Sequence, residues 1–294
     1  MERKREERKK DNSHTIKSVY CETVEKFKNV EIEEIDSQVK LLMEHCFGVK
    51  PIDYVLNPDK ELESQNYDYY IECVNKRCDR IPLQHIIGKT NFMGMDFSVN
   101  ENVLIPRFDT ENLVEKVLKI CEGKKVLDMC TGSGCIILSI AKLGKIKSGI
   151  GIDISEKALE VARHNKEMLS IDNVEFLQSD MFDILEKNPC NNKGFDIIVS
   201  NPPYIPTGEI EKLMREVKNH DPFIALDGKE DGLFFYRIIS REARKYLVES
   251  GVLALEIGYD QGESVPQILK ADGYKDVRVY KDLSGLDRVV LANI

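Results

Sequence analysis

The sequence predicts an α/β protein, with a mostly parallel, doubly wound sheet preceded by a small helical bundle. Three observations carry this expectation. From residue 124 onward, apolar runs rich in β-branched residues alternate with segments of helical periodicity. Before residue 80 only helical periodicity is present. A glycine-rich turn, Thr131-Gly132-Ser133-Gly134, joins the first of the apolar runs directly to a helix.

In chain order, residues 1–15 form a charged end of the solvated kind. Over 16–80, Ile32, Ile35, Val39, Leu42 and Cys46 recur at helical steps until Gly48 and Pro51. A second helix is predicted from Asn57-Pro58, through Leu62, Tyr69, Tyr70 and Val74. Residues 81–106 read as a hairpin linker turning at Asn100-Glu101-Asn102. Arg107 to Glu111 is a charged cluster at the head of a helix over 112–121, where Arg107 and Glu111 form a capping ion pair or border a ligand. The domain at 107–294 follows, with strands over 126–130, 149–153, 174–178, 195–200 and 252–257 and a closing pair at 277–281 and 288–292. Helices over 134–143, 156–169, 231–249 and 264–271 supply right-handed crossovers.

Composition narrows the function classes. The net charge of −9 and pI near 5.3 argue against broad nucleic-acid binding. No apolar run approaches the roughly 18 to 20 residues of a membrane span, and the charged N-terminus is unlike a signal peptide, so a cytoplasmic protein without membrane contact is expected. The eight cysteines are scattered without a Cys-x-x-Cys pair and the five histidines lack ligand spacing, so reduced thiols and no metal are expected. A monomer is expected.

Asp128, Cys130, Thr131, Gly132, Ser133 and Gly134 lie where a strand meets a helix, and Asp153 ends the next strand, 21 residues after Gly132. A carboxylate there suits a ribose diol. A dinucleotide fingerprint would need a third glycine at 137, where Ile137 stands, and Asp128 suits a cationic ligand better than a phosphate. S-adenosyl-L-methionine, with its ribose, sulfonium and ammonium, fits. Asp180 is placed to reach the adenine amino group while Met181 packs on the ring.

The run over 195–200 ends in Asn201-Pro202-Pro203-Tyr204, at the carboxyl end of a strand where sites form. Asn201 offers a side-chain carbonyl, Pro202 a rigidly held backbone carbonyl, and Tyr204 a face on which a planar group stacks. Together they would accept both hydrogens of a planar NH2 group. The plain alternative is a stiff turn without chemistry.

Three segments, over 126–134, 104–111 and 200–205, together resemble the HemK/PrmC-type glutamine methyltransferases of peptide chain release factors: Val-Leu-Asp-Met-Cys-Thr-Gly-Ser-Gly, Leu-Ile-Pro-Arg-Phe-Asp-Thr-Glu and Ser-Asn-Pro-Pro-Tyr-Ile. The resemblance covers 81–294, and the helical N-terminal part fits that family's layout. It implies a Rossmann-like class I methyltransferase sheet, a substrate-docking role for 16–80, and methyl transfer to N5 of the glutamine in the release factors' Gly-Gly-Gln motif. It also implies a substrate clamp at 201–204, bordered by Arg107, with Asn201 and Pro202 catalytic. Cofactor contacts fall on 130–134, Asp153 and Met181. Phe108, Cys130 and His85 depart from the pattern, standing where proline, glycine and tyrosine are usual. An N6-adenine DNA methyltransferase, a methyltransferase of a ribosomal-protein glutamine and a non-catalytic cofactor-binding module are the competing readings.

Overall fold

The computed structural model describes residues 14–187 and 194–294. Most of the charged end and Cys190 lie outside the described residues. Two compact units divide the chain, Met1–Ile87 and Gly88–Ile294.

The first unit is helical. Helix α1 (Ile16–Asn29) starts at Thr15, whose hydroxyl accepts from Ser18 N at 3.2 Å while Ser18 Oγ accepts from Thr15 N at 3.0 Å. Helix α2 (Ile35–Phe47) buries Val39, Leu42, Met43 and Cys46, the face expected from its spacing. Asn57-Pro58 does not open a helix: short α3 (Asp53–Leu56) ends at Asn57. The stretch beyond it runs beside the head of α1, where the Pro58 and Lys60 carbonyls accept from Lys17 N and Ile16 N at 2.9 and 3.0 Å. That satisfies two donors a helix start otherwise leaves without partners, and it overrides the local Asn-Pro signal. The next helix, α4 (Tyr67–Cys78), begins ten residues later than expected, and α5 (Leu83–Ile87) closes the unit. Phe27, Val39, Leu42, Tyr70 and Val74 are its packed centre, with the Tyr70 and Thr23 hydroxyls 2.7 Å apart inside it.

The second unit opens with a hairpin of β1 (Lys89–Phe92) and β2 (Met95–Ser98). Its turn is Met93-Gly94, both at positive φ (52° and 75°), whose twist matches that of antiparallel strands. The expected turn at Asn100 instead folds the chain locally, with Asn100 Oδ1 accepting from Asn102 N at 3.0 Å. After α6 (Phe108–Leu118) come β3 (Lys125–Met129), α7 (Cys135–Gly144), β4 (Ser148–Asp153), α8 (Glu156–Met168), β5 (Val174–Gln178), α9 (Asp183–Lys187) and β6 (Phe195–Ser200). Three short helices, α10 (Thr207–Ile210), α11 (Arg215–His220) and α12 (Phe223–Leu226), precede α13 (Phe234–Ala243), β7 (Leu247–Glu256), α14 (Ser264–Ala271), β8 (Lys275–Lys281) and β9 (Asp287–Asn293).

The strands form one seven-stranded sheet in the order β5-β4-β3-β6-β7-β9-β8, parallel except around β9. Side chains alternate between two cores. Ile197 and Val199 of β6 meet α6, α7 and α8 on one face, while Phe195 and Ile198 meet α13 and α14 on the other. The chain steps from β3 out to β5, then returns to β6 on the opposite side of β3, which opens a crevice at the strands' carboxyl ends. The helix expected over 231–249 is shorter because β7 starts at Leu247. Phe195 pairs with Leu247 there, before an irregularity that resumes at Ile197 with Val252.

Ile198 is fully buried at the middle of the sheet. Ile198→Ala is expected to lower the unfolding free energy by about 2–5 kcal/mol in urea titration, since the cavity has packed neighbours on every side.

Candidate active site

β3 and β6 end side by side, with Met129 opposite Ser200. The Ser200 hydroxyl donates to the Met129 carbonyl at 2.6 Å, fastening together the two loops that follow.

Near the end of β3, Asp128 shares the face of Val126 and is fully buried beneath the turn that follows. Thr131 Oγ1 donates to its Oδ2 at 2.6 Å, and Oδ1 has no partner. Burial pushes this carboxyl from the ordinary 3.8 to about 7, against the pull of the Thr131 hydrogen bond. Gly132 N and Ser155 N donate to Asp153 Oδ2 and Oδ1 at 2.8 and 2.9 Å, yet burial still raises its pKa. Each Asp153 oxygen keeps a lone pair for a further donor. Gly134, at φ 78°, seats the start of α7 so closely that a Cβ there would lie 3.0 Å from the Phe176 ring and 3.2 Å from Ala162.

In the loop after β6, Asn201 Nδ2 donates to Thr110 Oγ1 on α6 at 3.3 Å, which leaves the side-chain carbonyl as the group Asn201 offers a ligand. Tyr204 is pinned rather than displayed. Its hydroxyl donates to Glu256 Oε1 at 3.4 Å and its carbonyl accepts from Gln261 Nε2 at 3.2 Å. Gly228 and Gly232 press against the Tyr204 backbone: a Cβ on Gly232 would fall 2.4 Å from the Tyr204 carbonyl oxygen.

Between these loops lies a cavity of about 300 Å³, within the range of small-ligand sites. Cys130, Gly132, Asp153, Asp180, Met181, Asn201 and Pro203 line it, as do Val103, Leu104, Phe234 and Phe235. Three lining residues, Cys130, Met181 and Lys229, hold left-handed backbone at φ 60°, 44° and 69°, the kind of strain that gathers at functional sites. Lys229 is paired with Asp227 at 2.8 Å, so the carboxylates of Asp153 and Asp180 set the charge of the cavity.

The expected site residues therefore divide. Asp128 does not face a cationic ligand: the strand's alternation turns it under the loop, where it holds Thr131. Thr131 and Ser133 are buried with it, and Ser133 O accepts from Asn165 Nδ2 at 3.0 Å. Arg107 pairs with Asp221 at 2.6 Å, not with Glu111, whose Oε1 accepts from Met93 N at 2.6 Å. The sheet's β-to-loop geometry brings Asn201, Asp153 and Met181 together as expected, while Tyr204 leaves the cavity wall to Pro203.

A family model described as a methyltransferase domain matches residues 120–269, and one described as the PrmC N-terminal domain matches residues 21–88. The release factor glutamine methyltransferase of Clostridium acetobutylicum is 43% identical over 260 residues, 87% of this chain and 90% of that protein. This chain belongs to the release factor glutamine methyltransferase family. Its relative of that name from Thermodesulfovibrio yellowstonii is 44% identical over 243 residues, 81% of this chain and 85% of that protein. A methyltransferase from Pyrococcus furiosus shares the fold at a TM-score of 0.54 and 18% identity, covering 74% of this chain and 98% of that one.

In this family member, Thr110, Glu256, Gln261, Gly228 and Gly232 support the loop after β6 without having been expected from the sequence. The doubled Asp-Gly pairs, Asp227-Gly228 and Asp231-Gly232, were the available signal. Gly232→Ala is expected to cost at least about 1–2 kcal/mol in chemical denaturation, from left-handed strain alone, with the Tyr204 carbonyl adding to it. Below the ordinary carboxylate range Asp128 is protonated in folded and unfolded chains alike. As pH rises to about 7 the unfolded chain ionises first, so the wild type loses stability across that interval. Asp128→Asn keeps an acceptor for Thr131 and removes this loss; its melting temperature should exceed the wild type's by a margin that grows from pH 4 to pH 7.

Proposed function

We propose that this chain transfers the methyl group of S-adenosyl-L-methionine to the side-chain amide nitrogen (N5) of the glutamine in the Gly-Gly-Gln motif of peptide chain release factors. The observation that carries the reading is Asn201, tied by its own NH2 to Thr110 so that an acceptor oxygen remains at a cavity edged by a carboxylate-bearing loop. Family membership supports the substrate class.

The cavity suits that cofactor. Its uncompensated charge is negative, matching a sulfonium and an ammonium, and Asp153 retains lone pairs at the strand end where a ribose diol would lie. Bound there, the cofactor supplies an activated methyl group. Asp153 would hold the ribose, Asp180 the adenine amino group and Met181 the ring, with the backbone of Cys130 and Gly132 against the rest. The chain offers no cluster of three or more metal-ligating side chains among its described residues.

A glutamine amide nitrogen shares its lone pair with the carbonyl and is a poor nucleophile. The Asn201 side-chain carbonyl and the Pro202 backbone carbonyl accept its two N–H groups, orient the nitrogen and stabilise the positive charge that develops on it. The proton leaves to solvent after transfer. The helical unit is assigned to docking the body of the release factor. The protein works in the cytoplasm as a monomer; no helix among the described residues is long and apolar enough to cross a membrane.

The test offers labelled cofactor with a release factor, its Gln→Ala variant at the Gly-Gly-Gln motif, a ribosomal-protein fraction and duplex DNA. Label on the intact factor alone is expected; label on DNA or ribosomal protein instead overturns the reading. Asn201→Ala is expected to lower kcat at least about 100-fold while the cofactor dissociation constant stays within a few-fold by calorimetry.

A further inference from the structure

Thr110 supports Asn201 from the first turn of α6, and a first turn is the part of a helix with the fewest bonds of its own. Arg107, the residue that opens the helix, gives its free N–H groups no side-chain hydrogen bond. The turn is held instead by partners far away in the chain. Arg107 goes to Asp221 and Glu111 to Met93 N, while Asp109, between them, is ion-paired to Arg288 on β9 at 3.2 Å. Asp221 belongs to the run of short helices and Met93 to a hairpin turn. Arg288 is seated on the sheet itself.

The Arg288 side chain is buried, and its nitrogens are shared among three elements. Nε and Nη2 donate to Asp282 Oδ2 at 3.3 and 3.2 Å, in the turn between β8 and β9. Nη1 donates to the Ile257 carbonyl at 3.4 Å, just beyond β7, and Nη2 is also the nitrogen facing Asp109. The Arg288 carbonyl accepts from Ile257 N at 2.9 Å, so main chain and side chain grip the same residue. One residue further on, Gly258 N donates to Gln261 Oε1 at 2.9 Å, which turns Gln261 Nε2 to the Tyr204 carbonyl at 3.2 Å. Arg288 therefore stands between the two supports of the loop after β6. One is α6, with Thr110 at Asn201; the other is the stretch 257–261, with Gln261 at Tyr204.

We propose that Arg288, acting through Asp109, is the positioning residue that fixes Asn201 for methyl transfer. The inference rests on the role of Asn201 proposed above. At 3.3 Å the bond from Asn201 to Thr110 is already long, so a shift of roughly half an ångström at the head of α6 breaks it. Asn201 then turns about its own side-chain bonds, and its carbonyl no longer keeps one place at the cavity. A guanidinium suits the task because its donors lie in one plane at fixed angles. The bonds to Asp282 and Ile257 thereby dictate where the edge towards Asp109 points. A lysine would supply the charge without the direction.

The experiment uses the full-length protein and two independent readouts. Asp109 is half-exposed, so Asp109→Ala removes the ion pair without opening the core, and Arg288→Lys keeps the charge while losing the planar fork. In single-turnover methyl transfer to a release factor, each should lower the rate on the order of 10-fold, since the acceptor is misplaced rather than lost. The cofactor dissociation constant should stay within a few-fold of wild type, and Asp109→Asn, which keeps an acceptor for Arg288, should recover most of the rate. The deciding readout is a double-mutant cycle with Thr110→Val. Once the Thr110 hydroxyl is gone, the place of the helix head no longer reaches Asn201, so adding Asp109→Ala should cost less than about threefold more. In heteronuclear NMR, the Asn201 side-chain NH2 resonances, identified by their loss in Asn201→Asp, should move in Asp109→Ala and Arg288→Lys in the direction they move in Thr110→Val. Rate losses that multiply in the double variant, or Asn201 resonances that keep their wild-type positions in Asp109→Ala, overturn the inference while leaving the proposed reaction standing. Absence of any methyl transfer by the wild type, with the NMR changes as expected, overturns the reaction and leaves the placing of Asn201 by Arg288 standing.

Discussion

Parallel pairing of β3 with β6 is the constraint on which the site depends. Because Met129 and Ser200 stand opposite each other and are bridged by the Ser200 hydroxyl, the loops after β3 and β6 leave the sheet at the same level. Neither loop has a site by itself. The distance between an Asp153 oxygen and an Asn201 oxygen is set by strand spacing, a quantity that backbone hydrogen bonding holds within narrow limits. Both loops thereby spring from paired central strands, with two separate cores clamping the sheet from either face.

Around that seam the chain accepts several local costs. Asp128 and Glu256 are both carboxyls buried with one oxygen lacking a partner. Cys130, Met181 and Lys229 sit in left-handed backbone without being glycine. Each such feature is unfavourable by roughly 1–3 kcal/mol and persists where surrounding packing leaves no alternative. Cys130, Met181 and Lys229 line the cavity, and Asp128 lies buried next to the loop that holds Cys130.

Much of this was legible in the sequence, for identifiable reasons. A strand buried on both faces is a mostly apolar run, so β6 lies where its composition put it, and β5 and the helix α14 follow their own spacing. Motifs fixed by backbone needs, such as Gly132 to Gly134 and Asn201 to Pro203, announce themselves because few residue types satisfy those needs. What escaped was determined by partners distant in the chain. Asp128 looks like a ligand group until strand alternation turns it under α7, and Arg107 looks like a cap until Asp221, 114 residues on, claims it. The false helix start at Asn57-Pro58 is the same lesson in the first unit, since only the proximity of α1 makes those carbonyls more useful as its cap. Thr110 carried no signal at all, because a threonine in a helix's first turn is ordinary until the residue it touches is known.

The contact of Gly228 and Gly232 with the Tyr204 backbone has a consequence for how this protein can diverge. Two loops pressed together with no side chain between them behave as one object, and neither can gain or lose a residue without displacing the other. Insertions and changes of length are therefore confined to the stretch bearing α10, α11 and α12, which leaves the acceptor loop at Pro206 and rejoins its partner loop at Asp227. New target preferences can be drawn on that excursion while the reacting groups stay where the sheet put them.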